Sequence, residues 1–142
     1  MMNIGKASSN DLDDISEIDF KIIGRYSRRV YLAKSIESDS CLIAKLDGVT
    51  VGFAVCETSF FGHCFISLVL VDPQNRRQGI ARGLIQHIEL LCPTEKLFTS
   101  TNESNKVMQH VCESLGFVRS GMIENLDEGD PEIVFFKRVE KV

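Results

Sequence analysis

The sequence is poor in the residues that define several specialised classes of protein. It has no Trp, three Pro and five Cys among 142 residues, and no two cysteines are separated by only two positions. An odd cysteine count is unusual for a disulfide framework, and the spacings do not match a structural zinc site. We therefore expect a reducing, cytoplasmic environment and no bound metal.

Long apolar runs and excess basic charge are missing as well. No apolar run approaches the ~20 residues that cross a bilayer, and the N-terminal stretch lacks the apolar core of a secretory signal. Sixteen Lys and Arg against twenty Asp and Glu give a net charge of −4, whereas nucleic-acid-binding domains usually carry a basic footprint. We expect a protein that binds neither membranes nor nucleic acids.

The remaining composition is that of an ordinary globular domain. Hydrophobic residues make up 44% and charged residues 25% of the chain, which is too apolar for a mainly disordered protein. A chain of about 150 residues buries about 68–70% of its unfolded surface, so one core can be formed without disulfides or metals. The sequence predicts a single domain over residues 1–142.

The spacing of apolar residues changes along the chain between helical and strand-like periods. Leu12, Ile15 and Ile18 form a helical face, and a second helix is predicted over residues 28–38. Two strand-like runs then flank Asp47-Gly48, a strong hairpin signal. The predicted order is β-α-α-β-β-β-α-β-α-β-β, which places the chain in the α/β class with a mixed α+β sheet and helices packed on it.

Two later segments of this pattern carry more detailed predictions. The run Ile66–Val71 is almost continuously apolar, as in a central strand that is covered on both faces. The last helix is predicted to be capped by Ser104 and to end at Gly116. Its apolar face is expected to consist of Val107, Met108, Val111, Cys112 and Leu115.

The most informative segment joins a strand to a helix through a short polar loop. Asp72-Pro73 turns the chain, and a helix begins near Gly79. A helix N-terminus offers unpaired N–H donors and partial positive charge, and Arg76, Arg77 and Arg82 add to that charge. The P-loop and Rossmann patterns are both absent. The residues alone leave two interpretations open, an anion site or a tight turn with solvated arginines.

The segment from Arg76 to Ala81, Arg-Arg-Gln-Gly-Ile-Ala, resembles the [QR]xxGx[GA] motif of the GNAT acetyltransferase superfamily. Asn105 follows the fifth strand and opens a helix, and that helix ends in Glu-Ser-Leu-Gly-Phe at positions 113–117, similar to the family's ending. The order of helices and strands agrees from Ile4 to Val139. The resemblance therefore covers nearly the whole chain and implies a GNAT-like acyl-CoA N-acyltransferase fold over residues 1–142.

The resemblance also implies that the chain binds acetyl-CoA. In the family, the strand before the motif and the strand after its helix splay apart, and pantetheine inserts there and pairs with main-chain groups. The amides of the motif hold the pyrophosphate, and Asn105 either hydrogen-bonds the pantetheine arm or serves only as a helix start. The residues expected to bind CoA are Val69, Leu70, Val71, Arg76, Arg77, Gln78, Gly79, Ile80, Ala81, Arg82 and Asn105.

The reaction implied by the resemblance is direct transfer of acetyl from the thioester to a primary amine. A base removes a proton from the amine, and the departing thiolate takes one up. Relatives carry a tyrosine where this chain has Cys112, and a glutamate where it has Phe65 or Ser100. Cys112 is a candidate general acid, or alternatively a small buried hydrophobe. The candidates for the base are Glu57, Glu103 and Glu124, which the sequence does not rank.

The acceptor is less defined than the donor. Five acids crowd the last connection between strands, at Glu124, Asp127, Glu128, Asp130 and Glu132. They would attract a cationic amine by electrostatic steering, or they are a solvated loop. The expected acceptor is a small amine, or an N-terminus or lysine of a protein. The alternatives to this activity are a non-catalytic acyl-CoA-binding sensor module and transfer of another acyl group. The sequence does not define the oligomeric state, and the resemblance leaves a homodimer open because family members often dimerise.

Overall fold

The predicted alternation of helices and strands is present in the structure. The computed structural model describes residues 1–139, and the last three positions of the predicted 1–142 domain lie outside the described residues. The strands are β1 (Met2–Lys6), β2 (Cys41–Leu46), β3 (Val49–Phe60), β4 (His63–Val71), β5 (Lys96–Asn102), β6 (Val118–Ile123) and β7 (Glu132–Arg138). The helices are α1 (Leu12–Ile23), α2 (Arg29–Glu37), α3 (Ile80–Leu91) and α4 (Lys106–Ser114). Their order along the chain is the predicted one, which confirms the fold class.

The strands form a mixed sheet. They are hydrogen-bonded in the order β1-β2-β3-β4-β5-β7-β6. β4 and β5 run parallel, whereas β1 with β2, β2 with β3, β5 with β7 and β6 with β7 run antiparallel. The parallel pair is joined by α3, as expected for a crossover connection. Within residues 1–139, no helix has the length and apolarity to cross a bilayer.

The chain divides into two compact units. The first consists of Met1–Cys56 with Leu68–Leu90, and the second of Glu57–Ser67 with the described chain from Leu91 onward. In the first unit, Ile15, Leu32 and Phe53 are completely buried, so α1, α2 and β3 share an apolar core. The two helices are also tied together, because Arg28 Nη2 donates to the buried Asp19 Oδ1 at 2.5 Å. Loss of Arg28 would leave the buried carboxylate of Asp19 without its ion-pair partner.

The second unit is built on the pairing of β5 with β7. Leu97, Ile133 and Phe135 are completely buried on one face of this pair. Phe98 and Phe136, which pair directly and point to the opposite face, are only half-buried. One face of the pair is therefore well covered, and the other presents aromatic rings.

The apolar face predicted for α4 is wrong at Val107, which is 78% exposed. Gln109 is buried instead. Its Nε2 donates to the carbonyls of Asn102 at 3.2 Å and Glu103 at 2.6 Å, and its Oε1 accepts from Arg119 Nη2 at 3.1 Å. A polar side chain can be buried where both ends of its amide are hydrogen-bonded, and apolar spacing alone does not reveal such a site.

Candidate active site

The loop between β4 and α3 is anchored at its start by Asp72. The Asp72 N–H donates to the Val51 carbonyl at 2.8 Å, and its carboxylate accepts from the Gln74 N–H at 3.0 Å and from Lys21 Nζ at 2.8 Å. Asp72 is buried, and the hydrogen bond from Lys21 holds the pKa of its carboxyl below the usual value. The loop is thus fixed to β3 and α1. Sequence reasoning missed Lys21, because it lies far from Asp72 along the chain.

The loop then adopts a conformation that exposes its main chain. After one 3₁₀ turn over Pro73–Asn75, Arg77 has φ 64° and Gly79 has φ 76°, both left-handed. Residues 76–79 are exposed, and a Cβ added at Gly79 would meet nothing within 4 Å. Glycine is therefore favoured at position 79 because of the left-handed backbone angle, and not because a side chain would collide with neighbouring atoms. A side chain there costs about 1–2 kcal/mol of backbone strain.

The amides of this loop are available as donors. Among the described residues, no hydrogen-bond partner is found for the main-chain N–H groups of Arg77, Gln78 and Gly79. The first bond of α3 runs from Gly83 N–H to the Gly79 carbonyl at 2.9 Å, so the N–H groups that open the helix also lack an acceptor within it. Together with the positive end of the helix dipole, this run of donors suits an anion.

The start of α3 is held in place by close packing inside the first unit. Ile80 and Leu84 are buried. A Cβ at Gly52 would lie 3.0 Å from Ile80 Cγ2, and one at Gly83 would lie 2.9 Å from Met2 Cε, so both glycines permit close packing of the helix. Because the Ile80 side chain is buried, only its main chain is available to a ligand.

The end of β4 is less covered than predicted. Leu68 and Leu70 pack against the core of the first unit, but all residues from Leu68 to Val71 are half-buried. The prediction of a strand covered on both faces is therefore wrong here, although β4 is an interior strand of the sheet. In the second unit, parallel pairing joins Cys64–Ile66 to Leu97–Thr99.

The second unit carries the remaining two predicted site residues. Asn105, rather than the predicted Ser104, is the cap of α4, because its Oδ1 accepts from the Met108 N–H at 3.1 Å. Its side chain is exposed, and within residues 1–139 its Nδ2 donates to no protein group. The helix-start role of Asn105 is confirmed, and the contact with pantetheine stays a prediction.

Cys112 lies on the buried side of α4. It is 1% exposed, and burial raises the pKa of its thiol to about 11, with the nearby Glu113 charge as a smaller cause. This position fits the role of a small core residue. The role of general acid stays a prediction.

Phe65, one of the two positions that the sequence analysis compared with a glutamate, belongs to a group of aromatic rings. Phe65 stacks on Phe60 with ring centroids 4.7 Å apart, and Phe60 lies 5.1 Å from Phe98, which lies 5.3 Å from Phe136. Of the three acids left unranked by the sequence, Glu103 and Glu124 are exposed, and Glu57 is half-buried.

The acidic loop between β6 and β7 is attached to the end of β5 by hydrogen bonds. Asp127 accepts from Asn102 Nδ2 at 2.8 Å, and Asp130 accepts from the Ser104 N–H at 3.0 Å and from its Oγ at 2.6 Å. Ser100 Oγ donates to Glu132 Oε2 at 2.7 Å. All of these donors are neutral groups, so none of the bonds that hold the loop is an ion pair.

No metal ligand set is found in the part of the chain that the structure describes. Three or more His, Cys, Asp or Glu side chains do not come together there in an arrangement that could hold an ion. The expectation of a metal-free protein stays a prediction.

The chain is similar in sequence and structure to known acetyltransferases. A family model described as the Acetyltransferase (GNAT) family matches residues 10–117. The crystal structure of a GNAT-family acetyltransferase from Bacillus cereus is 48% identical, with a TM-score of 0.96 over 99% of both chains. No protein among the curated ones matches the sequence.

Two more distant structures share the fold. The ribosomal-protein-S18-alanine N-acetyltransferase from Escherichia coli is 19% identical, with a TM-score of 0.85 over all of this chain and 96% of that one. Arabidopsis thaliana Naa50, in complex with the bisubstrate analogue CoA-Ac-MVNAL, is 17% identical, with a TM-score of 0.80 over 96% of this chain and 97% of that one. With the family model over most of the sequence and a relative at 48% identity, the chain belongs to the acetyltransferase (GNAT) family and is an acetyltransferase.

Proposed function

We propose that this acetyltransferase moves the acetyl group of acetyl-CoA directly to a primary amine. The observation that carries the proposal is the exposed run of unpaired amides at the start of α3. Arg76, Arg77 and Arg82 surround these donors with positive charge, whereas the first turn of α3 contains no acid. This chemistry suits the diphosphate of CoA.

The donor is held by main-chain groups and a few side chains. The amides of Arg77, Gln78, Gly79 and Ala81 donate to the diphosphate, and the three arginines add charge-assisted contacts. The main chain of Val69, Leu70 and Val71 pairs with the pantetheine arm, and Asn105 donates to it through Nδ2. The half-buried end of β4 and the unused donors of Asn105 support these assignments.

The amine attacks the thioester only in its neutral form. Its lone pair forms the N–C bond, the carbonyl oxygen becomes an oxyanion, and the C–S bond then breaks. The N–H near Val71 stabilises the oxyanion. Cys112 is a candidate donor of the proton that the sulfur takes up, although its burial supports a packing role more strongly.

The acceptor is a small amine, or the N-terminus or a lysine of a protein. Five carboxylates in and beside the β6–β7 loop favour an acceptor that carries positive charge. The S18-alanine acetyltransferase and the peptide analogue bound by Naa50 make a protein N-terminus worth testing, although both share only the fold with this chain. We further propose a cytoplasmic location and a homodimer, the latter supported by exposed Val118 and Met122 on the edge strand β6.

The test is a thiol-release assay with acetyl-CoA and a panel of amines. The panel contains diamines, monoamines of equal length, a lysine peptide and peptides with free or blocked N-termini. We expect acetyl-CoA-dependent turnover that is fastest with cationic acceptors and falls with added salt. Calorimetry with CoA is run in parallel. CoA binding without turnover on any amine would favour the sensor-module alternative, and turnover with a longer acyl donor but not with acetyl-CoA would favour another acyl group.

A further inference from the structure

One carboxylate in the second unit, that of Glu132, keeps an oxygen without a hydrogen bond to any described residue at the end of β5. We propose that Glu132 is the general base that removes the proton from the acceptor amine, which rests on the proposed function above. Glu132 begins β7 and pairs directly with Asn102, while Ser100 pairs with Val134. Because directly paired residues share a face of the sheet, Ser100, Asn102 and Glu132 lie together at the carboxyl end of β5.

One oxygen of the Glu132 carboxylate accepts a hydrogen bond, and the other accepts none within the described residues. Ser100 Oγ donates to Oε2 at 2.7 Å. Within residues 1–139, Oε1 accepts no hydrogen bond and neither oxygen forms an ion pair. Asp130 differs, because both of its oxygens accept from Ser104. Glu132 is thus oriented by the serine and keeps a free oxygen for a proton.

The surroundings of Glu132 suit an amine that must lose its water shell. Along the same face, the Ser100–Val134 pair follows Glu132, and Phe98 and Phe136 form the pair after it. These two rings are half-buried, with their centroids 5.3 Å apart. Glu132 itself is half-buried. Among the described residues, Glu132 forms no ion pair. Two other acids lie near it in the strand register: the Glu103 N–H donates to the Pro131 carbonyl at 2.8 Å, and Glu124 follows Ile123, which pairs with Glu132.

The position of Ser100 on β5 also agrees with the proposed binding site of the acetyl donor. Parallel pairing between β4 and β5 ends at Thr99, and Ser100 is the next residue. Asn105, the proposed contact of the pantetheine arm, follows the end of β5 by three residues. The end of β5 therefore carries both the proposed donor contact and, on one face, the free carboxylate.

The proton balance of the step is complete without further reactants. Glu132 takes one proton from the ammonium group, and the freed lone pair attacks the carbonyl carbon. The C–S bond breaks as the oxyanion collapses, and the sulfur takes up the second proton that nitrogen loses. Glu132 then returns its proton to solvent. The amide keeps one N–H, and CoA leaves as the thiol.

The test compares Glu132→Gln with Glu95→Gln. Glu95 is an exposed acid before the opposite end of β5, in a long surface contact with Arg138. We expect kcat of E132Q to fall about 100-fold or more, as for loss of a general base, while the Kd for CoA is unchanged. The defect of E132Q should shrink as pH rises, because more of the amine is then neutral in solution. E95Q should match the wild type. An E132Q enzyme with wild-type kcat, or with the same defect at every pH, would overturn the proposal.

A swap of the two hydrogen-bonded residues gives a second readout. Ser100→Glu combined with Glu132→Ser keeps a hydroxyl–carboxylate pair and moves the charge to β5. We expect the swap to recover much of the kcat and the pH dependence that E132Q loses. A swapped protein that binds CoA normally but is no more active than E132Q would contradict the role of Glu132. Absence of turnover in the wild type would instead overturn the proposed function.

Discussion

Two junctions in this chain lead from a strand through a short loop into a helix, and they treat the helix N-terminus in opposite ways. Between β4 and α3, the loop amides from Arg77 to Gly79 are exposed and have no partner among the described residues. Between β5 and α4, Asn105 Oδ1 occupies the Met108 N–H, and Asp130 accepts from the Ser104 N–H. Only the first junction leaves a run of consecutive main-chain donors for a ligand.

The difference shows what a helix N-terminus needs in order to bind an anion. Both helices carry the same partial charge at their first turn. At α4 the N–H groups of Ser104, Asn105, Lys106 and Met108 donate to the chain's own oxygens. The Asp130 carboxylate is one of these acceptors, so a phosphate would meet both competition and repulsion. At α3 the left-handed angles of Arg77 and Gly79 keep the amides exposed, and arginines supply the surrounding charge. The helix dipole is the same at both junctions, so capping by the chain's own groups decides which helix N-terminus can bind an anion.

We call the β4–α3 loop the open junction and the β5–α4 loop the closed junction. The largest expected effect comes from a substitution that blocks the amides of the open junction. Gly79→Glu forces a side chain into φ 76° and adds a negative charge where a diphosphate would lie. We expect the Kd for CoA to rise about 100-fold or more, since several charge-assisted hydrogen bonds worth about 1.5–3 kcal/mol each are lost. Isothermal titration calorimetry measures the change.

Gly62→Glu is the matched control for backbone strain. Gly62 lies in the turn between β3 and β4 with φ 81° and open space around it. The Gly62→Glu variant should lower the melting temperature about as much as Gly79→Glu does, but it should leave the Kd for CoA unchanged. Equal loss of CoA binding in both variants would mean that instability, not the junction, is responsible.

The two junctions also differ in how far they could be predicted from the sequence. The β4–α3 loop is defined by residues close together in the chain. Its glycine and arginines therefore indicated an anion site as one of two interpretations, and Asp47-Gly48 predicted a hairpin in the same way. The β5–α4 junction depends on contacts between distant segments. The burial of Gln109 and the hydrogen bond from Ser100 to Glu132 follow from strand register and loop placement, which no local pattern encodes.

The second prediction concerns the closed junction and separates the two functions of Asn105. Aspartate caps a helix about as well as asparagine but lacks the Nδ2 donors. Asn105→Asp should therefore change the free energy of unfolding by less than about 0.5 kcal/mol. The KM for acetyl-CoA should rise roughly fivefold, the size expected for one lost hydrogen bond. An unchanged KM, with unfolding unchanged in urea, would leave Asn105 with the cap alone.

The smallest expected effect concerns the anchor of the open junction. Lys21→Met removes the cation that lowers the pKa of Asp72, while the bond from the Gln74 N–H remains. The stability due to a lowered pKa is present above the carboxyl's ordinary pKa and is lost as pH falls through the lowered, folded-state pKa. We expect the variant to be about 0.5–1 kcal/mol less stable than the wild type at pH near 7, a modest figure because Lys21 is half-exposed.

In urea unfolding, this difference between variant and wild type should shrink as pH falls below the carboxyl's ordinary pKa and through its lowered, folded-state pKa, as Asp72 becomes protonated in both. Lys34→Met removes the same charge from an exposed site with no ion pair among the described residues, so its effect should not depend on pH in this way. Unchanged CoA binding in Lys21→Met would show that the loop keeps its shape without the anchor from α1. Weaker binding would show that the open junction, like the closed one, depends on a side chain from a distant segment.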